Sequence, residues 1–326
     1  MPGKNKTLSR RTLWAAAMVA LLALTLFGAW LFFETHPLGD HPLATLHGEG
    51  DAGYIPVSAE PLELEISSPQ AFVYDCESET LIYRKGEDRV VYPASTTKLF
   101  TALCALEYLS PDEIVTPGDE LSLVEAGSSL AYIKEYHAMS VEMLVEGMLL
   151  PSGNDAAYVL AAAAGHRMDE SKTGKDAVAV FMDGMAAYGE RMGLVDTHFT
   201  TPDGYADSEH YSTVEDIVLI SRLAMENEII RRYAAMHEHN VAYASGHINH
   251  WVNTNELIDP ESTWYHAAVT GLKTGSLENN YCLIFTFEQD GHAYIAGVFG
   301  AAKKHDRYAD AHRILNALLG DGEVAT

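Results

Sequence analysis

The sequence predicts an α/β chain of the α+β kind, in which one antiparallel sheet draws strands from both ends of the chain and helices are inserted between them. Three observations carry this. Ala71-Phe72-Val73-Tyr74 and Leu81-Ile82-Tyr83 flank a polar turn, the pattern of a β-hairpin. Near the other end, Tyr281-Cys282-Leu283-Ile284-Phe285-Thr286-Phe287 and Ala293-Tyr294-Ile295-Ala296-Gly297-Val298-Phe299 are separated by Asp290-Gly291, a strong hairpin signal. Between them, residues 120–250 repeat apolar side chains at three- and four-residue spacing.

The first 33 residues stand apart from this fold. Lys4, Lys6, Arg10 and Arg11 precede an uncharged apolar run, 12–33, whose 22 residues suffice to cross about 30 Å of hydrocarbon as a helix. Basic residues before the run and acidic ones after it orient the N-terminus to the cytoplasm and the remainder outside. The run ends Ala29-Trp30-Leu31-Phe32-Phe33, too bulky for a small-x-small cleavage site, which favours an uncleaved anchor over a signal peptide. The expected division is a cytoplasmic tail at 1–11, a transmembrane anchor at 12–33, a Pro- and Gly-bearing linker at 34–64 and a folded domain at 65–326. The implied location is a single-pass membrane protein with its domain on the extracytoplasmic face.

Within that domain, order begins near Ala71. The first helix is expected from about Ser95 to Tyr108. Further helical patterns cover 141–149, 155–164, 176–192 and 213–225, with Ser140 and Ser212-Thr213 as cap signals. A last helix over 306–319 places Tyr308, His312, Leu315 and Leu319 on one face. The helical subdomain is thus about 120–250, and an active site is expected in the cleft between it and the sheet.

Composition narrows the function. The net charge is −25, and beyond residue 33 there are 17 basic against 46 acidic residues, a surface that repels phosphate backbones and argues against nucleic acid. Cys76, Cys104 and Cys282 make no disulfide framework and read as three buried small side chains, with one pair as the alternative in an oxidising compartment. Among 15 histidines, His237-Glu238-His239 and His247-Ile248-Asn249-His250 lie close together, but neither has H-E-x-x-H spacing, so no metal is expected.

Three short motifs occur in order: Ser95-Thr96-Thr97-Lys98, Ser152-Gly153-Asn154 and Lys273-Thr274-Gly275. Each is weak alone, since about one S-x-x-K arises by chance in a chain of ordinary composition. A helix cap, an interhelix turn and a turn pair would account for them singly. Together they supply one chemistry. Serine is a poor nucleophile until a base takes its proton, and Lys98 shares a helix face with Ser95 one turn away. Burial beside Lys273 would lower the proton affinity of Lys98 enough for that task. Ser152 and Asn154 offer a hydroxyl and a carboxamide on a fixed turn. Lys273 and Thr274 offer a cation and a hydroxyl for a carboxylate, and Gly275 permits close backbone approach. A second triplet, Lys172-Thr173-Gly174, opens no strand and reads as a solvated loop.

The set resembles that of penicillin-binding proteins and serine β-lactamases. Residues 65–320 resemble most closely the D-alanyl-D-alanine carboxypeptidases of low molecular mass. The resemblance is carried by Pro93-Ala94-Ser95-Thr96-Thr97-Lys98, Leu150-Pro151-Ser152-Gly153-Asn154-Asp155-Ala156-Ala157, Thr201-Pro202-Asp203-Gly204, Asn253-Thr254-Asn255 and Gly271-Leu272-Lys273-Thr274-Gly275. It implies a penicillin-binding/serine β-lactamase-like fold, Ser95 as nucleophile, Lys98 as base and Ser152 as proton donor. It further implies Asn154 on the acyl side, Lys273 and Thr274 on the terminal carboxylate, and the N–H groups of Ser95 and Ser276 as oxyanion hole. The implied partners are peptidoglycan stem peptides ending in D-Ala-D-Ala, β-lactams as inhibitors and the membrane, with no cofactor. The stretch Ser276-Leu277-Glu278-Asn279-Asn280 departs from the family, where an aromatic or His often follows K-T-G. A class A β-lactamase would need Glu four residues before Asn in an E-x-x-x-N loop, and no asparagine between Ser152 and Lys273 has one. Water and an amine both stay open as acyl acceptor, so a transpeptidase or endopeptidase is the alternative; a wall-binding module without catalysis does not need every motif intact.

Overall fold

The computed structural model describes residues 55–205 and 208–320. Five strands form one antiparallel sheet: β1 (Gln70–Asp75), β2 (Thr80–Lys85), β7 (Val269–Leu277), β8 (Asn280–Gln289) and β9 (His292–Ala301), in the order β2-β1-β9-β8-β7. The N-terminal hairpin therefore pairs with the C-terminal one through β1 and β9, with Val73 opposite Ala296. Helices α1 (Lys98–Tyr108), α2 (Val141–Leu149), α3 (Asn154–Met168), α4 (Gly174–Met192), α5 (Val214–Glu226) and α6 (Glu228–Ala234) come between, and α7 (Asp306–Leu319) ends the described chain. Short pairs β3 (Ile114–Val115) with β4 (Met139–Ser140), and β5 (Glu238–Ala242) with β6 (Ile248–Val252), are separate two-stranded sheets.

Both faces of the sheet are covered, and the central strands β1, β8 and β9 are mainly apolar for that reason. Val73, Leu283, Phe285, Phe287 and Val298 pack with Tyr308, Ala311, Ile314 and Leu315 of α7. Phe72 and Tyr74 alternate to the opposite face, where Phe72 stacks on Phe299 and Arg222 of α5 lies 5.1 Å over the Tyr74 ring. The cap signals hold: Ser140 Oγ accepts the Met143 N–H, and Thr213 Oγ1 accepts the Asp216 N–H.

Several expectations are corrected. Lys273-Thr274-Gly275 precedes the Tyr281 strand, as its position in the sequence requires, but it lies inside a strand of its own, β7, at the sheet edge. Two glycines and a lysine had hidden that strand's period. The β5–β6 hairpin falls within the segment read as helical. Residues Pro56, Ser58 and Leu62 bond to β2, so the fold begins earlier than Ala71. Ser95 sits in a 3-10 turn, Ala94–Thr97, that leads into α1. Cys76 is exposed at the end of β1, while Cys104 and Cys282 are buried, and all three are free thiols. The anchor expected at 12–33 lies outside the described residues, among which no helix is long and apolar enough to cross a membrane.

Candidate active site

The nucleophile motif is built by a sharp turn. Ala94 is buried with φ +50°, and the Thr96 N–H and Oγ1 both bond to Pro93 O, which winds Ser95 onto the end of α1. Lys98, the first residue of that helix, is fully buried, and its Nζ lies 2.7 Å from Ser95 Oγ, 2.8 Å from Asn154 Oδ1 and 2.7 Å from Asp203 O. Burial pushes its pKa down to about 8, against the opposing fields of Asp203 and Asp155.

The partners of Lys98 matter chemically. A neutral amine has two protons and one lone pair. Asn154 Oδ1 and Asp203 O can accept only, so they take the two protons and turn the lone pair toward the Ser95 hydroxyl. The turn that brings Asp203 requires Gly204, whose φ is +78° and on which a Cβ would lie 1.9 Å from Ala94 O. Thr101 Oγ1 donates to Pro202 O at 2.7 Å and ties this turn to α1.

Ser152 follows α2 with φ +60°, and Asn154 begins α3. The carboxylate of Asp155, buried at the start of α3, accepts the N–H groups of Ala131, Ile133 and Ala156 at 2.8, 2.8 and 2.9 Å. It thereby fastens the 129–133 loop against the motif, as does the Asn154 N–H on Ser129 O at 2.8 Å. Burial raises the Asp155 pKa, and those three donors oppose the shift.

The third motif comes from edge strand β7. Lys273, buried, donates to Ser152 Oγ at 2.9 Å and to Thr274 O at 3.0 Å. Its pKa falls well below that of a free lysine through burial, with the charges of Lys98 and Arg307 adding to the shift. Thr274 Oγ1 lies 2.5 Å from Thr254 Oγ1, and the Thr254 N–H reaches Leu150 O, so the Asn253-Thr254-Asn255 segment joins β7 to the second motif. A Cβ on Gly275 would lie 2.7 Å from Pro93 O, so β7 lies directly on the nucleophile turn. The Ser276 side chain is exposed beside it.

All eight sequence-predicted site residues, Ser95, Lys98, Ser152, Asn154, Lys273, Thr274, Gly275 and Ser276, thus meet at one cleft between sheet and helices. Lys172 does not: it is exposed in the loop before α4. His237, His239 and His250 pair with Asp259, Glu146 and Glu238, and among the described residues no group of three or more His, Cys, Asp or Glu could hold a metal. Sequence reasoning missed three contributors. Arg307 of α7 is buried and donates to Gly275 O at 2.9 Å, Ser276 Oγ at 3.1 Å and Cys282 O at 3.2 Å. Its signal was legible: Arg307 shares the apolar stripe of Ala311, Ile314 and Leu315, where a charge needs a partner. Asp155 lay within a quoted motif without a role. His210 accepts the Thr200 N–H on Nδ1, so Nε2 carries the proton given to Thr97 Oγ1 at 2.8 Å. No local pattern marked it.

A buried lysine aimed at a serine, a second lysine aimed at a second serine and an edge strand beside both define an acyl-transfer site of the active-serine class. The family model described as D-alanyl-D-alanine carboxypeptidase, peptidase family S11, matches residues 56–303, and the chain belongs to that family. A D-alanyl-D-alanine carboxypeptidase of Streptomyces sp. strain K15 is 32% identical over 250 residues, covering 73% of this chain and 82% of that one. The carboxypeptidase DacF of Bacillus subtilis strain 168 is 26% identical over 267 residues; the match covers 80% of this chain and 64% of that longer relative. Among solved structures, the Streptomyces K15 DD-transpeptidase superposes with a TM-score of 0.71 at 29% identity, over 80% of this chain and all of that one. Penicillin-binding protein D2 of Listeria monocytogenes, in its ampicillin-bound form, gives 0.63 at 27% identity, over 78% of this chain and 99% of that one. The fold is therefore the penicillin-binding, DD-peptidase fold.

Proposed function

We propose that this chain is a serine D-alanyl-D-alanine carboxypeptidase that removes the terminal D-alanine from peptidoglycan stem peptides. The observation that carries the reading is the lysine held by two carbonyl acceptors with its lone pair on Ser95. Ser95 Oγ attacks the carbonyl carbon of the penultimate D-alanine while its proton passes to Lys98 Nζ. The carbonyl oxygen becomes an oxyanion facing the backbone N–H groups of Ser95 and Ser276. As the C–N bond breaks, the leaving amine takes a proton from Ser152 Oγ, and the proton that Lys98 took from Ser95 restores the Ser152 hydroxyl and leaves Lys98 neutral again. Asn154 holds the acyl-side amide, and Lys273 with Thr274 receives the terminal carboxylate, where the buried Arg307 adds positive potential. Water, deprotonated by Lys98, then cleaves the Ser95 ester.

A β-lactam presents a strained amide to the same serine, and the ampicillin-bound relative supports β-lactams as inhibitors. The 12–33 run and the basic residues before it support a membrane anchor with the catalytic domain outside the cell. The test incubates the protein with a soluble pentapeptide ending in D-Ala-D-Ala and measures free D-alanine. Release that is lost in Ser95→Ala, with a single penicillin adduct lost in the same variant, is expected. Labelling that persists in Ser95→Ala would overturn the assignment. Transfer to an added amine in preference to water would make the protein a transpeptidase.

A further inference from the structure

The open end of β7 carries residues that the reaction has not used. A two-residue turn, Glu278-Asn279, joins β7 to β8, with Leu277 opposite Asn280. Such a turn closes on a hydrogen-bonded pair, so Leu277, Gly275 and Lys273 direct their backbone groups at β8. Thr274 and Ser276 then direct theirs to the free edge, and the bond from Lys273 Nζ to Thr274 O agrees. A substrate whose scissile carbonyl meets the Ser276 N–H, and which pairs antiparallel with this edge, runs its N-terminal side toward Leu277 and Glu278.

That direction enters a cavity of about 340 Å³ whose lining includes Tyr92, Ala94, His210, Leu277, Glu278 and Asn280. It adjoins the nucleophile, because Ala94 precedes Ser95. Leu277 shares its strand face with Gly275 and is half-buried, so it supplies an apolar floor. Tyr92 makes the wall, its carbonyl held by Asn280 Nδ2 at 2.9 Å. Glu278 stands exposed at the mouth, with no ion pair among the described residues. Apolar floor, aromatic wall and terminal carboxylate suit an alkyl side chain that ends in an ammonium group.

We propose that Tyr92, Leu277 and Glu278 form a subsite for the side chain of the residue preceding the D-Ala-D-Ala pair, and that Glu278 selects a side chain carrying a primary amine. This rests on the carboxypeptidase reading and names the substrate class within it. The turn residue is a specificity determinant, and it acts in binding rather than in bond making.

The test uses two peptides ending in Lys-D-Ala-D-Ala, one with a free ε-amine and one with that amine acetylated. The wild-type protein should favour the free amine in kcat/KM by about two- to fivefold, the range of an exposed ion pair. The preference should shrink with added salt. Glu278→Gln should bring the ratio to about one, and Glu278→Lys should invert it, as charge reversal requires. A merely structural role would lower both rates together and leave the ratio unchanged, which would overturn the proposal. Equal wild-type rates on both peptides would sink the subsite alone. Release from neither peptide would sink the carboxypeptidase reading and the subsite with it.

Discussion

Lys273 Nζ lies 2.9 Å from Ser152 Oγ, although 121 residues separate them. The contact joins the sheet to the helical insert across the cleft and brings a buried amine to the second serine of the site. Desolvation and the neighbouring charges of Lys98 and Arg307 all act against the charge on Lys273. An anionic substrate carboxylate entering this cleft therefore gains more than it would at an exposed lysine, because the local positive potential is unrelieved.

Lys273→Ala should lower kcat/KM by about 10²-fold or more, through loss of a charge-assisted contact made in the transition state. Lys172→Ala, in the other K-T-G triplet, should change it by less than about twofold, as for an exposed loop residue. D-alanine release measured on both variants decides the matter. Equal losses would mean that the motif has been assigned to the wrong segment.

The pH dependence follows from Lys98. The base must be neutral, and burial brings its pKa to about 8, so kcat/KM should rise with pH and level off above that value. Below it, each unit should cost about tenfold, because the neutral fraction falls tenfold. Lys98→Arg keeps the charge but cannot release a proton, and should lose activity by about 10²-fold or more at every pH. A flat profile between pH 6 and 8 would remove Lys98 from the role of base.

Most of this site was legible in the sequence, because its chemistry sits in three contiguous motifs and their order reflects the fold. The hairpins at both ends were equally plain, since Asp290-Gly291 and the apolar alternation are local signals. What stayed hidden depends on tertiary approach. The strand β7 carries Gly275 because the nucleophile turn presses on it, Lys273 because it reaches Ser152, and Gly271 where the register with β8 shifts, and together these erase strand periodicity. Asp203 acts through its backbone carbonyl, which no side-chain pattern reveals. The His210 contact to Thr97 spans 113 residues and depends on a tautomer fixed by Thr200. Cys76 reads as apolar by type, yet the end of β1 leaves it exposed.

Gly204→Ala tests whether the Asp203 turn positions the base. An added Cβ would meet Ala94 O at 1.9 Å, in a backbone conformation that side chains disfavour. Backbone must shift, and Asp203 O must leave Lys98. Activity should fall about 10²-fold, the scale of a misplacement near 1 Å, together with melting temperature. Gly127→Ala is the control: its φ is +86° but nothing lies within 4 Å of the added carbon. That variant should lose only about 1 kcal/mol of stability, the cost of a left-handed non-glycine residue. Equal damage from both would show that backbone strain, and not the contact with the nucleophile turn, is what Gly204 relieves.

Asp155→Asn should separate two roles of one carboxylate, because they move in opposite directions. Structurally, Oδ1 accepts from Ala131 and Ala156, and Oδ2 accepts from Ile133. An amide keeps one acceptor oxygen and sets an NH₂ group against a buried N–H. An unsatisfied buried donor costs about 1–3 kcal/mol. In a domain of this size each kcal/mol lowers the melting temperature by about 2–4 °C. Electrostatically, the Asp155 charge raises the pKa of Lys98, opposing the effect of burial. Its removal should lower that pKa further below about 8 and so increase the neutral fraction at neutral pH. The rising limb of the pH–rate profile should therefore shift to lower pH in a protein that melts earlier. Calorimetry with a pH–rate series on the soluble pentapeptide reads both quantities. A limb displaced to higher pH, or left in place while stability falls, would show that Asp155 acts on the 129–133 loop alone and does not tune the base.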